Sequence, residues 1–253
     1  MDVRTLFTER VPPRVMRFAK LVGKGVNTYN MISSGESVVI GVSGGKDSLA
    51  VSLALSLRRR WLPVSYHLEA LVIDWHEYPL STDQKERLFA FFDAIEVPLS
   101  VTQAQMKPES FGGVFSCYHC SRNRKRILFD FLRAQGVRRL ALGHHMDDII
   151  ETTIMNMMYH GTVATMMPVQ EFFGGDLTLI RPMCLVKEST VNALAEFLEF
   201  PVAKPDCPFH DTNIRAQIKE VVRRMVRMNP QARENLFRAP ANVNSEYVPD
   251  YAE

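Results

Sequence analysis

Apolar residues recur at helical spacing through residues 11–32, where Val15, Phe18, Ala19, Val22 and Val26 share one face and predict an amphipathic helix. Gly35-Glu36 then turns the chain into Ser37-Val38-Val39-Ile40-Gly41-Val42, an apolar run with the length of a buried strand. A glycine loop follows, and residues 47–60 return to a helical pattern. The alternation continues with a strand near 66–74, a helix near 82–93, a short strand near 95–101 and a helix near 121–135. A strand at 138–143 then leads to a helix near 147–159. Residues 161–176, with Pro168 and Gly174-Gly175, read as a loop before a last strand near 177–181. Helices near 187–199 and 212–228 complete the body, and the stretch after Pro230, with Pro240 and Pro249, reads as extended or weakly ordered.

Strands alternating with helices predict an α/β fold, a mostly parallel five-stranded sheet with helices on both faces. The 253 residues suffice for one such domain with short additions. We divide them into a helical extension (1–34), an α/β domain (35–185), a C-terminal helical part (186–230) and an extended tail (231–253). Sites in such sheets lie outside the carboxyl ends of the strands, where Gly44-Gly45, Asp74 and Gly143-His144-His145 all fall.

Charge changes this picture only through its distribution. Lys and Arg total 30 against 28 Asp and Glu, a formal charge of +2, yet cations cluster. The clusters are Arg58-Arg59-Arg60, then Arg122, Arg124, Lys125 and Arg126, then Arg215, Lys219, Arg223, Arg224 and Arg227. Each suits either a phosphate backbone or a solvated helix face. No secretory-type leader opens the sequence and no apolar run of about 18 residues is present, so the expectation is a cytoplasmic protein without a membrane partner. Four cysteines (Cys117, Cys120, Cys184, Cys207) argue against a disulfide scaffold and suit reduced thiols. The 13 methionines are read as core filler.

Three constellations carry chemistry. Ser43-Gly44-Gly45-Lys46-Asp47-Ser48 joins a strand to a helix, so two glycines let backbone N–H groups approach a phosphate while the helix N-terminus adds a positive dipole end. The spacing is neither that of the ordinary P-loop nor that of the dinucleotide loop. Lys46 suits positioning of phosphates, and Asp47 suits holding a cation or bracing the loop. Gly143-His144-His145-Met146-Asp147-Asp148 ends a strand and opens a helix. Asp147 and Asp148 there read either as first-turn caps or as Mg²⁺ ligands, and His144 either as a packed histidine or as an electrostatic participant beside Lys46. Cys117-Tyr118-His119-Cys120, just before a basic helix, fits a redox pair, half a zinc site or part of an iron–sulfur site.

The six-residue glycine loop resembles the signature of the PP-loop ATP pyrophosphatases, which cleave ATP between its α and β phosphates and adenylate an oxygen. A narrower resemblance rests on the stretch from Cys117 to Arg126, on Leu140 to His145, and on Asp147-Asp148. It extends through Asn156, Gly161, Met167-Pro168, Ile180-Arg181-Pro182, Pro205-Asp206-Cys207 and Asn213-Ile214-Arg215, with Asn30-Met31-Ile32 upstream. These resemble the TtcA-like tRNA 2-thiocytidine synthetases over about residues 15–243. The resemblance implies ATP and Mg²⁺ at Ser43, Gly44, Gly45, Lys46, Asp47, Ser48, Asp74, Gly143 and Asp148. It implies a [4Fe–4S] cluster on Cys117, Cys120 and Cys207, with Lys46, Asp47, His144 and Asp147 in the catalytic set. It further implies that the C2 oxygen of cytidine 32 in a tRNA anticodon stem-loop is adenylated and replaced by sulfur, with a cysteine desulfurase or other sulfur donor and a homodimer as partners. The alternative is an iron–sulfur sulfurtransferase acting on another tRNA position or on a small molecule. One departure stands out: the family commonly has a second cysteine where this chain has His210.

Overall fold

The computed structural model describes residues 1–61, 65–108, 112, 115–203, 207 and 214–247. The chain divides into two compact units, one of residues 1–145 and 168–211, the other of residues 146–167 and 212–253.

The first unit contains helices α1 (Thr5–Thr8), α2 (Pro13–Thr28), α3 (Lys46–Arg59), α4 (Thr82–Ala94), α5 (Cys117–Ala134) and α7 (Glu188–Phe197). Its strands are β1 (Ser37–Val42), β2 (His67–Trp75), β3 (Leu99–Ala104), β4 (Arg139–Ala141), β5 (Val169–Phe172) and β6 (Leu177–Ile180). They form one sheet in the order β3-β2-β1-β4-β6-β5, in which only the β5–β6 pair is antiparallel. The five expected strands are therefore present and parallel, and a sixth has been added. It lies within 161–176, where Pro and Gly suggest a loop; those residues instead mark the ends of an edge hairpin, with Phe173 and Gly174 both at positive φ. The third strand begins at Leu99, later than expected, because Val97-Pro98 spends the preceding residues on the turn out of α4.

Strand order reverses between β1 and β4. In sheets of this kind ligands bind outside the carboxyl ends of the strands at such a reversal. The helix entering from β1 is the buried one: every residue of α3 from Ser48 to Arg58 is covered. Buried hydroxyls fit this environment because they find carbonyls. Ser52 donates to Ser48, Ser56 to Ile95, and Tyr66 to Leu55. The end of α3 also uses up the first basic cluster. Arg58 is buried and donates to Asn27 Oδ1 (3.2 Å), Arg59 to the carbonyl of Glu96 (2.7 Å), and Arg60 to that of Leu6 (3.0 Å). These cations fasten helices together and do not face a polyanion.

The second unit holds α6 (Met146–His160), α8 (Ile214–Met228) and α9 (Ala232–Arg238), followed by short 3₁₀ turns at Ala239–Ala241 and Ser245–Tyr247. Met146, Ile150 and Ile154 of α6 pack with Ile218 and Val222 of α8, with Leu236 and Phe237 of α9 alongside. The reading of an extended tail after Pro230 is thus corrected: proline punctuates the segment at its ends, and between them α9 buries an apolar edge. No helix among the described residues is long and apolar enough to cross a membrane.

Leu53 on α3 is fully buried. Leu53→Ala is expected to cost about 2–5 kcal/mol of unfolding free energy, since the covered helix has no room to collapse into the cavity. Urea denaturation followed by circular dichroism measures it, and a loss below about 1 kcal/mol would contradict this packing.

Candidate active site

The glycine loop is built on the close approach of three backbones. Gly44 sits at φ +75, and a Cβ added there would fall 1.7 Å from the carbonyl oxygen of Ala203. The Ala203 N–H in turn donates to the Gly44 carbonyl at 2.9 Å. On the other side a Cβ on Gly143 would lie 2.6 Å from Asp47 O and 2.9 Å from Ser48 N. Only glycine fits either place. Side chains brace the turn from within, as the Gly45 N–H donates to Ser43 Oγ (3.4 Å) and the buried Ser48 hydroxyl donates to the Gly45 carbonyl (2.8 Å). The loop ends at the N-terminus of α3, whose first-turn amides suit an anion.

Charged groups gather over this turn. Lys46 Nζ donates to both carboxylate oxygens of Asp47, at 3.0 and 3.1 Å, and lies 3.9 Å from Glu188 Oε1 at the start of α7. The buried His145 places Nε2 3.9 Å from Asp47 Oδ1. The sequence reading did not include Glu188 or Ala203. An acidic residue in the first turn of the helix after the last strand was the available signal for Glu188; nothing in the sequence marks Ala203.

Asp74 behaves differently from the expectation of a nucleotide contact. At the end of β2 it is buried, its Oδ1 accepts from the Leu80 N–H at 2.8 Å, and its Oδ2 meets Lys85 Nζ at 2.6 Å. Both oxygens are engaged in fixing the turn into α4. His144 follows Gly143 at the loop edge and is partly buried. Asp147 and Asp148 belong to the second unit, where Arg233 Nε stands 2.8 Å from Asp147 Oδ1 and Arg215 Nη1 3.7 Å from Asp148 Oδ1.

The CxxC pair lies in the first turn of α5, one turn earlier than the sequence placed the helix start. Cys117 is exposed; Cys120 and Cys207 are partly covered and pack against the cluster that includes Trp75, Met106 and Leu128. Burial pushes the Cys120 thiol up; Arg124 opposes that, whereas Cys207 and Cys117 add to it, so each of those two thiols lies within electrostatic reach of Cys120. They are neighbours more than a gathered ligand set: among the described residues no group of three or more His, Cys, Asp or Glu side chains stands ready to hold a metal ion. As a donor set they fit an iron–sulfur cluster, being three soft thiols, one open to solvent and two against apolar cover. His210 lies outside the described residues. Cys184 is elsewhere, fully buried near Gly25, with its thiol pushed up to about 12 by burial.

A PP-loop domain model matches residues 15–226 of the chain. The chain belongs to the PP-loop family. Within it, the tRNA-cytidine(32) 2-sulfurtransferase of Syntrophotalea carbinolica is 34% identical over 242 residues, covering 92% of this chain and 92% of that one. The tRNA-cytidine(32) 2-sulfurtransferase of Geobacter metallireducens is 32% identical with 90% of each chain covered. That of Paraburkholderia xenovorans is 33% identical over 93% of this chain and 70% of its own length. The PP-loop protein described here is thus a member of that branch. The fold is shared with the U34-tRNA thiolase NcsA from Methanococcus maripaludis, solved with its [4Fe-4S] cluster. That match has a TM-score of 0.74 and 20% identity, covering 95% of this chain and 81% of that one.

Two outcomes check this site. Gly44→Ala is expected to weaken ATP binding at least about tenfold in calorimetric titration, ~1.4 kcal/mol, by forcing the loop off Ala203; unchanged affinity would mean the loop does not hold the nucleotide. In metal-free protein, iodoacetamide is expected to label Cys117 well before Cys184, read by peptide mass spectrometry. Equal labelling would contradict the burial of Cys184.

Proposed function

We infer that this chain is an ATP-dependent tRNA sulfurtransferase that converts cytidine 32 of the anticodon loop to 2-thiocytidine. The reading is carried by one observation: a glycine loop that excludes side chains at a helix N-terminus and the three cysteines Cys117, Cys120 and Cys207 occur in the same compact unit. The family membership makes the chain an ATP-using enzyme.

The chemistry divides into two displacements. The C2 oxygen of the cytosine bonds to the α-phosphorus of ATP while the bond to the β-phosphate oxygen breaks and pyrophosphate leaves. Sulfur then bonds to C2 as the C–O bond breaks and AMP departs, which exchanges a poor leaving oxygen for a good one. For the first step the protein has mainly to hold phosphates and offset charge. The α3 amides and the bare backbone of Gly44 and Gly45 form the cradle. Lys46, held on Asp47 and next to Glu188, moves from carboxylate to polyphosphate when nucleotide arrives. That exchange releases Asp47 as the group to hold Mg²⁺, whose positive charge would favour departure of pyrophosphate. His145 at 3.9 Å keeps the Asp47 carboxylate oriented, and His144 stands at the loop edge as a donor.

Cys117, Cys120 and Cys207 would hold the [4Fe–4S] cluster, which supplies an iron with no protein thiolate as a place to present sulfide. Asp147 and Asp148, turned to Arg233 and Arg215, act in this reading by keeping α6 set against α8 and α9. The same reading assigns a tRNA anticodon stem-loop, a cysteine desulfurase or other sulfur donor and a second copy of the chain as partners, in the cytoplasm.

Nucleoside mass spectrometry of bulk tRNA tests the function directly. A strain lacking the gene is expected to lose 2-thiocytidine and to regain it with the wild-type gene, but not with Lys46→Ala or Cys117→Ser. Persistence of 2-thiocytidine in the deletion strain would overturn the assignment.

A further inference from the structure

The three basic clusters of the sequence have unlike fates. Arg58, Arg59 and Arg60 are used on carbonyls and Asn27. On α8, Arg223, Arg224 and Arg227 surround Glu220, and Arg215 faces Asp148. On α5, Arg126 pairs with Asp130 at 3.4 Å, whereas other cations lie over rings. Arg122 covers Tyr118 at 5.8 Å, Lys125 covers Phe172 at 5.3 Å, and Arg133 covers Phe173 at 4.1 Å. Among the described residues, those three charges meet aromatic faces and not carboxylates.

Their spacing makes them one surface. Positions 118, 122, 125, 129 and 133 follow the three- and four-residue steps of a helix face. The stripe from 118 to 133 runs about 22 Å at ~1.5 Å rise per residue. Phe129 is buried beneath it and tilts against Phe172, with Phe173 edge-on at 5.8 Å. Both ends present open rings: Tyr118 is 64% exposed and Phe173 54% exposed. Phe173 is held at φ +55 in the hairpin between β5 and β6, a conformation uncommon for a residue with a side chain. Positive charge is crowded at Lys125, whose ammonium is held below its usual range by burial and by the positive charges of Arg181 and Arg122. Like charges have been brought together there. Cations laid on ring faces, interleaved with exposed rings, match a strand that alternates phosphates and stacking bases.

We propose that the α5 stripe of Tyr118, Arg122, Lys125 and Arg133, with Phe173 at its far end, is the track on which the RNA strand lies as it reaches the cysteines. The proposal rests on the sulfurtransferase reading and adds to it where the RNA is held. Arg122 and Lys125 take phosphates near Cys117 and Cys120, and the buried Arg181 adds positive charge behind them. Arg133 and the ring of Phe173 take a nucleotide at the far end of the helix, with the guanidinium stacked on the ring so that it offers N–H groups outward.

Fluorescence anisotropy of a labelled anticodon stem-loop RNA, at salt concentrations of about 50 to 300 mM KCl, tests this with the full-length protein carrying its native cofactor. Arg122→Ala with Arg133→Ala, both exposed positions, is expected to lower affinity at least tenfold. It should also flatten the slope of log K against log salt by about 1.4, at roughly 0.7 for each single-strand phosphate left without its arginine. Phe173→Leu is expected to lower affinity about tenfold with the slope unchanged, because stacking releases no counterions. Arg133→Lys should keep the slope and lose part of the affinity. ATP affinity serves as the folding control and should not move in any of them. Wild-type-like binding and slope in the double variant, with wild-type protein still making 2-thiocytidine, would overturn the track while leaving the enzyme assignment standing. Failure of wild-type protein to bind the stem-loop at all would overturn both. Weakened binding to an unrelated acidic protein with unchanged RNA binding would reassign the stripe to a protein partner.

Discussion

The contact on which the rest depends is a backbone meeting at the carboxyl ends of β1 and β4. Gly44 comes so close to Ala203, and Gly143 to Asp47 and Ser48, that no side chain is tolerated at the two glycines. What results is a surface of bare amides beside a helix N-terminus, an environment that favours negative charge without any cationic side chain. Lys46 then has a secondary part. It lies on Asp47 and near Glu188, so its charge is already offset by carboxylates and does not by itself recruit whatever anion is nearby. A polyphosphate with its own cation can exchange with that arrangement, whereas a lone weak anion has to break an ion pair to enter.

Much of this was legible in the sequence because it follows from local rules. The run from Ser37 to Val42, the glycine pair and the helix after it are consecutive, and consecutive residues reveal strand, turn and helix. Five parallel strands were recovered on that basis. What escaped was decided by partners far along the chain. Asp74 sits at the carboxyl end of a strand, where fold order puts ligand contacts, yet Lys85 and the Leu80 N–H occupy both its oxygens. Glycine and proline in 161–176 hid the edge strand β5, since a hairpin and a loop use the same punctuation. Proline after Pro230 likewise hid α9, whose Leu236 and Phe237 find their cover only on α6 and α8. The cysteines were the inverse case. Spacing left Cys207 undecided, and resemblance alone joined it to the CxxC pair; in the fold it lies within electrostatic reach of Cys120.

The link between the two chemistries of the site lies in the short stretch after α7. Ala203 is fixed to Gly44 by a hydrogen bond and by the contact that forbids a Cβ there. Cys207 follows only four residues later. A chain extends at most ~3.3–3.6 Å per residue, so the third cysteine cannot lie beyond about 14 Å from the residue that closes the phosphate loop. If Cys207 serves the sulfur chemistry and the glycine loop holds the nucleotide, as proposed above, covalent reach alone keeps the two within one substrate's span. An activated nucleotide base has to meet sulfur before water does, and a tether of this length limits how far the two halves of the site can separate.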